Sequence, residues 1–455
     1  MSPQNVATAT VAAVDELQTV DSRLLGALEG FRTRSVLDED RHIHVTWPQI
    51  PEAAALNDNL ATSRSGLVDD FRSEYAPPVP GQVATPELNA AWRLVGASDD
   101  ALGVLSEDYL NAGGSAAQSW HSTWYDRDSG AVVANIGLID DREELREQIT
   151  EGLDGHQGVF EDELAAALAD DDIPVLGFTP QGDLFVGFDE LQVGAGSAGQ
   201  VSVVISLDDP DQLLSDFGER ARAAALEPEV PGSETPGPPT ESTRPAPQPS
   251  AKRVNCRKLK CVAITYDDGP AAGTEELLDT YRDKDATATF FVLGQQVATY
   301  PETARRIVDD GHEIGVHTWD HKDLTQLAPE EVGRQITRTA DEMTATTGVR
   351  PTLLRPPYGA TDDAVRAQAR RHDLAVALWS VDTEDWRDRD TDVVVHRAVD
   401  QARPGSIILM HDIHDTTVAG AGRIIDGLRD RGFTLVSVTD LLGSPEPGTT
   451  YSSRP

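Results

Sequence analysis

Three scarcities bound what this chain of 455 residues can be. No stretch approaches the roughly 20 unbroken apolar residues that a helix needs to cross a bilayer. No lysine occurs before Lys252, and there are only two cysteines. The lysine deficit accompanies a net charge of −39, of which −31 falls on residues 1–250. Such a surface repels polyanions and offers no basic patch, so a nucleic-acid partner is excluded. The acidity itself reads as a solubility device and says little about fold. Cys256 and Cys261 are too few for a zinc ribbon and are not spaced as CxxC. They are read as a small disulfide loop, which implies an oxidising compartment, with two free thiols as the alternative. The first thirty residues also lack the basic and apolar regions of an export signal. Either the protein stays inside the cell, or the sequence is a mature or trimmed form; the second is the expectation.

At this length, two domains and a connector are expected. Residues 227–252 are rich in proline and small polar residues and nearly devoid of apolar ones, which marks a stiff, extended linker. The predicted organisation is an N-terminal domain over 1–226, the linker, a C-terminal domain over 253–443 and a short tail at 444–455. In the C-terminal domain, β-rich runs recur at 261–266, 288–293, 313–317, 352–355, 374–381, 406–410 and 433–438. Helical segments separate them: Gly273–Asp283, Pro301–Asp310, Pro329–Thr347, Thr361–His372, Thr391–Arg403 and Val418–Arg431. Strands alternating with helices argue for parallel strands in a barrel or a doubly wound sheet.

The chemically capable residues follow the strands. Asp267 and Asp268 come after the first, His317 and His321 after the third, and Arg355 after the fourth. Asp382 and Asp385 follow the fifth, and His411 the sixth. In a barrel these positions converge at the C-terminal mouth. His317 and His321, at i and i+4, can face one cation together with a carboxylate from another strand. Two imidazoles and one Asp leave positions open, which suits a catalytic rather than a structural zinc site. If Asp268 is the ligand, the adjacent Asp267 is free to act as general base towards a water acidified by the cation. Arg355 would hold that carboxylate ionised. His411, backed by a carboxylate, could protonate a departing amine.

Thr265-Tyr-Asp-Asp-Gly-Pro270, His317-Thr-Trp-Asp-His321, Arg355-Pro-Pro-Tyr-Gly359, Asp382-Thr-Glu-Asp-Trp386 and Leu409-Met-His411 stand in order along the chain. They resemble the motifs of the polysaccharide deacetylases, the NodB-like carbohydrate esterase family 4. The resemblance covers about Val254–Leu442 and implies an α/β fold: a distorted (β/α)₇-type barrel, here preceded by a smaller α+β domain. It implies Zn²⁺, or Co²⁺, held by Asp268, His317 and His321, with Asp267 as base and His411 as acid. Arg355 would orient Asp267; Asp385 or Asp382 would support His411. The backbone N–H of Tyr358 would stabilise an oxyanion, while Trp386, Leu409 and Pro356 would line the substrate pocket. Tyr266 stands where phenylalanine is commoner. The implied reaction is removal of N-acetyl groups from an amino-sugar polymer, peptidoglycan first, with chitin oligosaccharides and acetylated xylan as alternatives. A catalytically silent wall-binding protein is the alternative of a different class. The implied location is extracellular or at the cell wall.

The N-terminal half is less legible. Its pattern predicts a helix at Val11–Gly30, a strand at His42–Trp47, a helix at Ala53–Tyr75 and a hairpin at His121–Asn135. A helix at Glu143–Gly155 and strands at Pro174–Phe178, Leu184–Phe188 and Val201–Ile205 follow. Asn111-Ala-Gly-Gly114, Tyr125-Asp-Arg-Asp-Ser-Gly130 and Phe178–Phe185 resemble the RsiV-like domain that precedes the deacetylase in PdaC-type enzymes. That resemblance implies a recognition module for the wall or for a wall-directed protein. No acid/base or metal cluster is read in this half, and His42 and His44 are taken as alternation in a strand.

Overall fold

The computed structural model describes residues 9–11, 16–26, 28–77, 85–113, 116–156, 158–190, 192–194, 200–207, 213–229 and 254–454. The chain divides into two compact units, Met1–Val36 with Val45–Thr235, and Leu37–His44 with Pro236–Pro455. From residue 230 onward the expected linker lies outside the described residues.

The first unit is built on two sheets. One has six strands in sequence order: Arg32–Asp38, Ile43–Gln49, Pro86–Ala97, Ala101–Ala112, Ala116–Asp126 and Ala131–Val133, of which the ends Leu37–Asp38 and Ile43–His44 are grouped with the second unit. The other has four, ordered Ala9–Val11, Val201–Ile205, Leu184–Phe188 and Val175–Phe178. The helix Ala54–Glu74 buries Leu56, Leu60, Arg64, Val68 and Phe71, a stripe of threefold and fourfold spacing. Arg64 is an ion-pair partner of the equally buried Asp108. Among the described residues of the expected helix at Val11–Gly30, Val11 ends a strand and Arg23–Gly26 is the α-helical stretch; residues 12–15 and 27 lie outside the described residues. The long strands Pro86–Ala97 and Ala101–Ala112 were not expected from the sequence; both their faces are buried, with the polar Glu87, Asn89, Ser106 and Asp108 enclosed along with the apolar residues. Trp124 fills the space beside Gly96 and Gly103; a Cβ on Gly103 would lie 2.6 Å from its ring. Its indole N–H donates to the Leu176 carbonyl at 2.9 Å.

In the second unit every pairing among the barrel strands is parallel. Cys261–Asp267 lies between Thr289–Val292 and Ile407–His411, and Glu313–Val316 and then Leu353–Leu354 extend the order. The run 374–381, expected as one strand, is broken. Ala375–Ala377 pairs with Leu353–Leu354, whereas Val381–Asp382 pairs with Ile407–His411. One bent segment therefore joins both sides and closes the ring, which accounts for the distortion of the barrel. The run 433–438 is also shorter than expected. Thr434–Leu435 pairs with the start of the first barrel strand, and Ser437 then caps the helix Val438–Leu442 by accepting from the Asp440 N–H. In the expected tail, Thr450–Tyr451 adds a parallel strand beside Ala375–Ala377.

Period-two alternation sorts the barrel side chains. Val262, Ile264, Tyr266, Phe290, Val292, Ile408 and Met410 join the core under the helices. Cys261, Ala263, Phe291 and Ile407 belong to the inner core. The helices supply matching stripes: Pro329–Thr347 buries Val332, Ile336, Ala340 and Met343, starts with proline and stops at Gly348 with φ 72°.

Candidate active site

Register brings the site together before any side chain is considered. On the first barrel strand, Thr265 and Asp267 occupy the same face as Ala263, so that face turns from apolar to polar towards its C-terminal end. Thr265 pairs with Leu409 and Asp267 with His411 on one side, and Asp267 pairs with Phe291 on the other. Beyond the strand end Asp268 takes a left-handed φ of 72°, which breaks the alternation and lets two consecutive carboxylates serve one site. Thr318, His321 and Tyr358 are also left-handed, at 73°, 68° and 59°. Backbone of this kind in non-glycine residues costs energy and concentrates at functional sites.

Asp268 Oδ1 lies 3.3 Å from Nε2 of both His317 and His321. Ligand atoms of the three residues all fall within 4.8 Å of one another. Neither Asp268 oxygen and neither ring nitrogen of His321 makes a hydrogen bond, although both residues are buried. Buried polar atoms without partners are costly, and a divalent cation would satisfy the Asp268 carboxylate and the Nε2 of His321 together. His317 Nδ1–H donates to the Arg355 carbonyl at 2.7 Å, which turns the lone pair of Nε2 into the site. Burial alone would raise Asp268, but His321 and His317 outweigh it and hold the carboxyl well below the usual range.

Asp267 stands beside this trio, its Oδ2 3.8 Å from His317 Nε2. Its Oδ1 accepts from Arg355 Nη1 at 2.7 Å. Arg355 is fully buried and over-determined: Nη1 also donates to Thr265 Oγ1 at 2.7 Å, and Nε to the Ala377 carbonyl at 3.0 Å. The guanidinium lies 4.0 Å over the Phe291 ring. An arginine locked in this way fixes the direction of the Asp267 carboxylate.

His411 is held from behind. Its Nδ1–H donates to Asp385 Oδ1 at 2.8 Å, and Asp385 Oδ2 accepts from the His411 N–H at 2.8 Å and from Thr417 Oγ1 at 2.6 Å. Burial works against the imidazolium, but Asp385 outweighs it and raises His411 to about 10. Burial likewise pushes Asp385 up, and His411 and Thr417 reverse this to about 2. Of the two carboxylates considered from sequence, Asp385 is the one on His411; Asp382 Oδ1 accepts instead from the Glu384 N–H at 2.8 Å. Leu409 sits two residues before His411 on the same strand face, buried, and Thr383 Oγ1 donates to its carbonyl. Trp386 is 7% exposed and Pro356 is buried, immediately before the turn Pro357–Gly359 that carries Tyr358.

Several residues of this region went unnoticed in the sequence. Asp412, raised by burial to about 7, accepts from Thr274 Oγ1 at 2.5 Å. A Cβ on Gly269 would come within 2.2 Å of its Oδ2, which explains a glycine there. His42 and His44 are not mere strand alternation. They belong to the second unit, where His42 stacks on Tyr358 and His44 on His321. Only their distance in sequence from the motifs concealed this.

Residues 255–377 match the family described as polysaccharide deacetylase. The chain is 32% identical over 370 residues to the peptidoglycan-N-acetylmuramic acid deacetylase PdaC of Bacillus subtilis, covering 78% of this chain and 75% of that protein. It is 40% identical over 185 residues to the peptidoglycan-N-acetylglucosamine deacetylase PgdA of Listeria monocytogenes, covering 40% of this chain and 39% of that one. A chitooligosaccharide deacetylase of Sinorhizobium fredii is 37% identical over 194 residues, 39% of this chain and 89% of that one. With similarity running through three quarters of a known deacetylase and this constellation at the barrel mouth, the chain belongs to the polysaccharide deacetylases, the NodB-like carbohydrate esterase family 4.

Proposed function

We propose that this enzyme removes N-acetyl groups from peptidoglycan, leaving a free amine on the sugar and releasing acetate. The observation that carries the chemistry is the convergence of Asp267, aimed by Arg355, and His411, held by Asp385, at neighbouring strand ends beside the trio Asp268, His317 and His321. The support for peptidoglycan over chitin or xylan is that the likeness to PdaC extends well beyond the deacetylase half of the chain.

Asp268, His317 and His321 would hold Zn²⁺, with Co²⁺ as a substitute, and the cation would supply Lewis acidity towards water and the acetyl carbonyl. Asp267 Oδ2 takes a proton from the attacking water, while Arg355 keeps Oδ1 engaged so that only one oxygen is available. The water oxygen adds to the carbonyl carbon, and the backbone N–H of Tyr358 donates to the oxyanion that forms. His411 Nε2 gives its proton to the amide nitrogen as the C–N bond breaks, and Asp385 stabilises the imidazolium until that moment. Trp386, Leu409 and Pro356 shape the pocket for the acetyl methyl. The Cys256–Cys261 disulfide supports an extracellular or wall location. The first unit is read as an RsiV-like module that binds the wall.

Mass spectrometry of muropeptides after treatment should show loss of 42 Da per modified sugar, the mass of an acetyl group exchanged for hydrogen (about 42 for C₂H₂O). Acetate release confined to acetylated xylan would overturn the amidase reading. Release confined to chitin oligosaccharides would replace the substrate and keep the chemistry.

A further inference from the structure

The second unit contains eight residues from far upstream, Leu37–His44. They comprise a single helical turn, Glu39–Arg41, then His42 with φ 54°, then the start of the strand Ile43–Gln49. Three of their side chains meet the residues to which the proposed function gives work. Glu39 Oε1 lies 3.9 Å from His411 Nε2. The His42 ring lies flat on Tyr358, with centroids 4.2 Å apart and planes within 6°. The His44 ring stacks on His321 at 4.3 Å. His42 is further tied down by Asp323, whose Oδ2 is 3.5 Å from its Nδ1.

This arrangement closes the site. Asp268, His317, His321 and His411 are at most 2% exposed, and His44 is 3% exposed. A polysaccharide cannot reach groups that solvent does not reach. His411 Nε2 must face the amide nitrogen during turnover, and a carboxylate 3.9 Å away stands in that nitrogen's place. An aromatic ring flat on Tyr358 covers the surface on which a sugar face would lie.

We propose that Leu37–His44 is an autoinhibitory plug that occupies the position of the acetylated sugar and must withdraw before the polymer binds. It rests on the deacetylase reading of the site. Leu37 and Ile43 are buried, while Glu39, His42 and His44 make the contacts with the site, so a ligand that takes over the places of these three side chains displaces the plug.

The test uses the full chain and an N-acetylglucosamine tetramer. Hydrogen exchange of the unmodified, metal-free protein at saturating tetramer should show faster exchange across Leu37–His44. Slower or unchanged exchange there would overturn the plug, because the segment would then belong to the substrate site or lie apart from it. The zinc-loaded Glu39→Ala/His42→Ala variant should raise kcat/KM for acetate release about tenfold, mainly by lowering KM. A rise in KM would again overturn the plug. Calorimetry of tetramer binding to the metal-free variant should show tighter binding than to the unmodified chain, independently of turnover. Absence of acetate release from every form would count against the deacetylase reading alone, since exchange and calorimetry still decide the plug.

Discussion

Asp267 and Asp268 are neighbours in the chain with different tasks, and substitution should separate them from each other. Asp267→Asn keeps the shape of the site but loses the base, so kcat should fall by about 10² to 10⁴ while one zinc per chain is retained. His317→Ala removes a ligand and should lose the metal; atomic absorption on both variants checks the division, and the opposite pattern would refute it. His411 allows a pH prediction with a definite sign. The acid works only when protonated, and Asp385 raises it to about 10, so kcat/KM should fall as the pH rises towards that value. In Asp385→Asn the fall should begin at lower pH, and kcat at neutral pH should drop. An unmoved alkaline limb would show that another group titrates. The pair also stabilises the fold, most fully between about pH 4 and 6.5, because Asp385 is depressed and His411 raised.

Among the elements, the barrel strands were legible because buried β-rich runs punctuated by capped helices have few other readings. Pro329–Thr347 begins at a proline and ends at a glycine, and it forms between the limits expected. What could not be read was pairing. The run 374–381 has no residue that announces its break; the bend follows from the need to serve two neighbours on opposite sides. The long strands of the first unit were missed as well; their pairing encloses even the polar Glu87, Asn89, Ser106 and Asp108, which only the assembled sheet shows. There, Gly96 and Gly103 have meaning only through Trp124. Gly103→Ala should destabilise the first unit by about 1–3 kcal/mol, as overpacking against a fixed ring does. Chemical denaturation monitored by tryptophan fluorescence measures it, and an unchanged midpoint would show that the indole can shift.

At the scale of the whole molecule, the two units carry separate hydrophobic cores, and the candidate metal ligands Asp268, His317 and His321 all lie in the second. Zinc should therefore raise the melting transition that reports on the deacetylase unit, by about 4 kcal/mol at a free concentration a thousand times Kd. A chelator should reverse it, with calorimetry as the readout; a transition indifferent to both would argue against the ligand set. The sequence alone determined the order of strands and helices in the catalytic half and the residue types able to hold a cation and move protons. These are properties of composition and spacing. Tertiary structure decided that Asp385 rather than Asp382 serves His411, that a bent segment closes the barrel, and that Leu37–His44 lies over the site. Each of these depends on contacts between residues far apart in the chain, and local pattern carries no information about such distances.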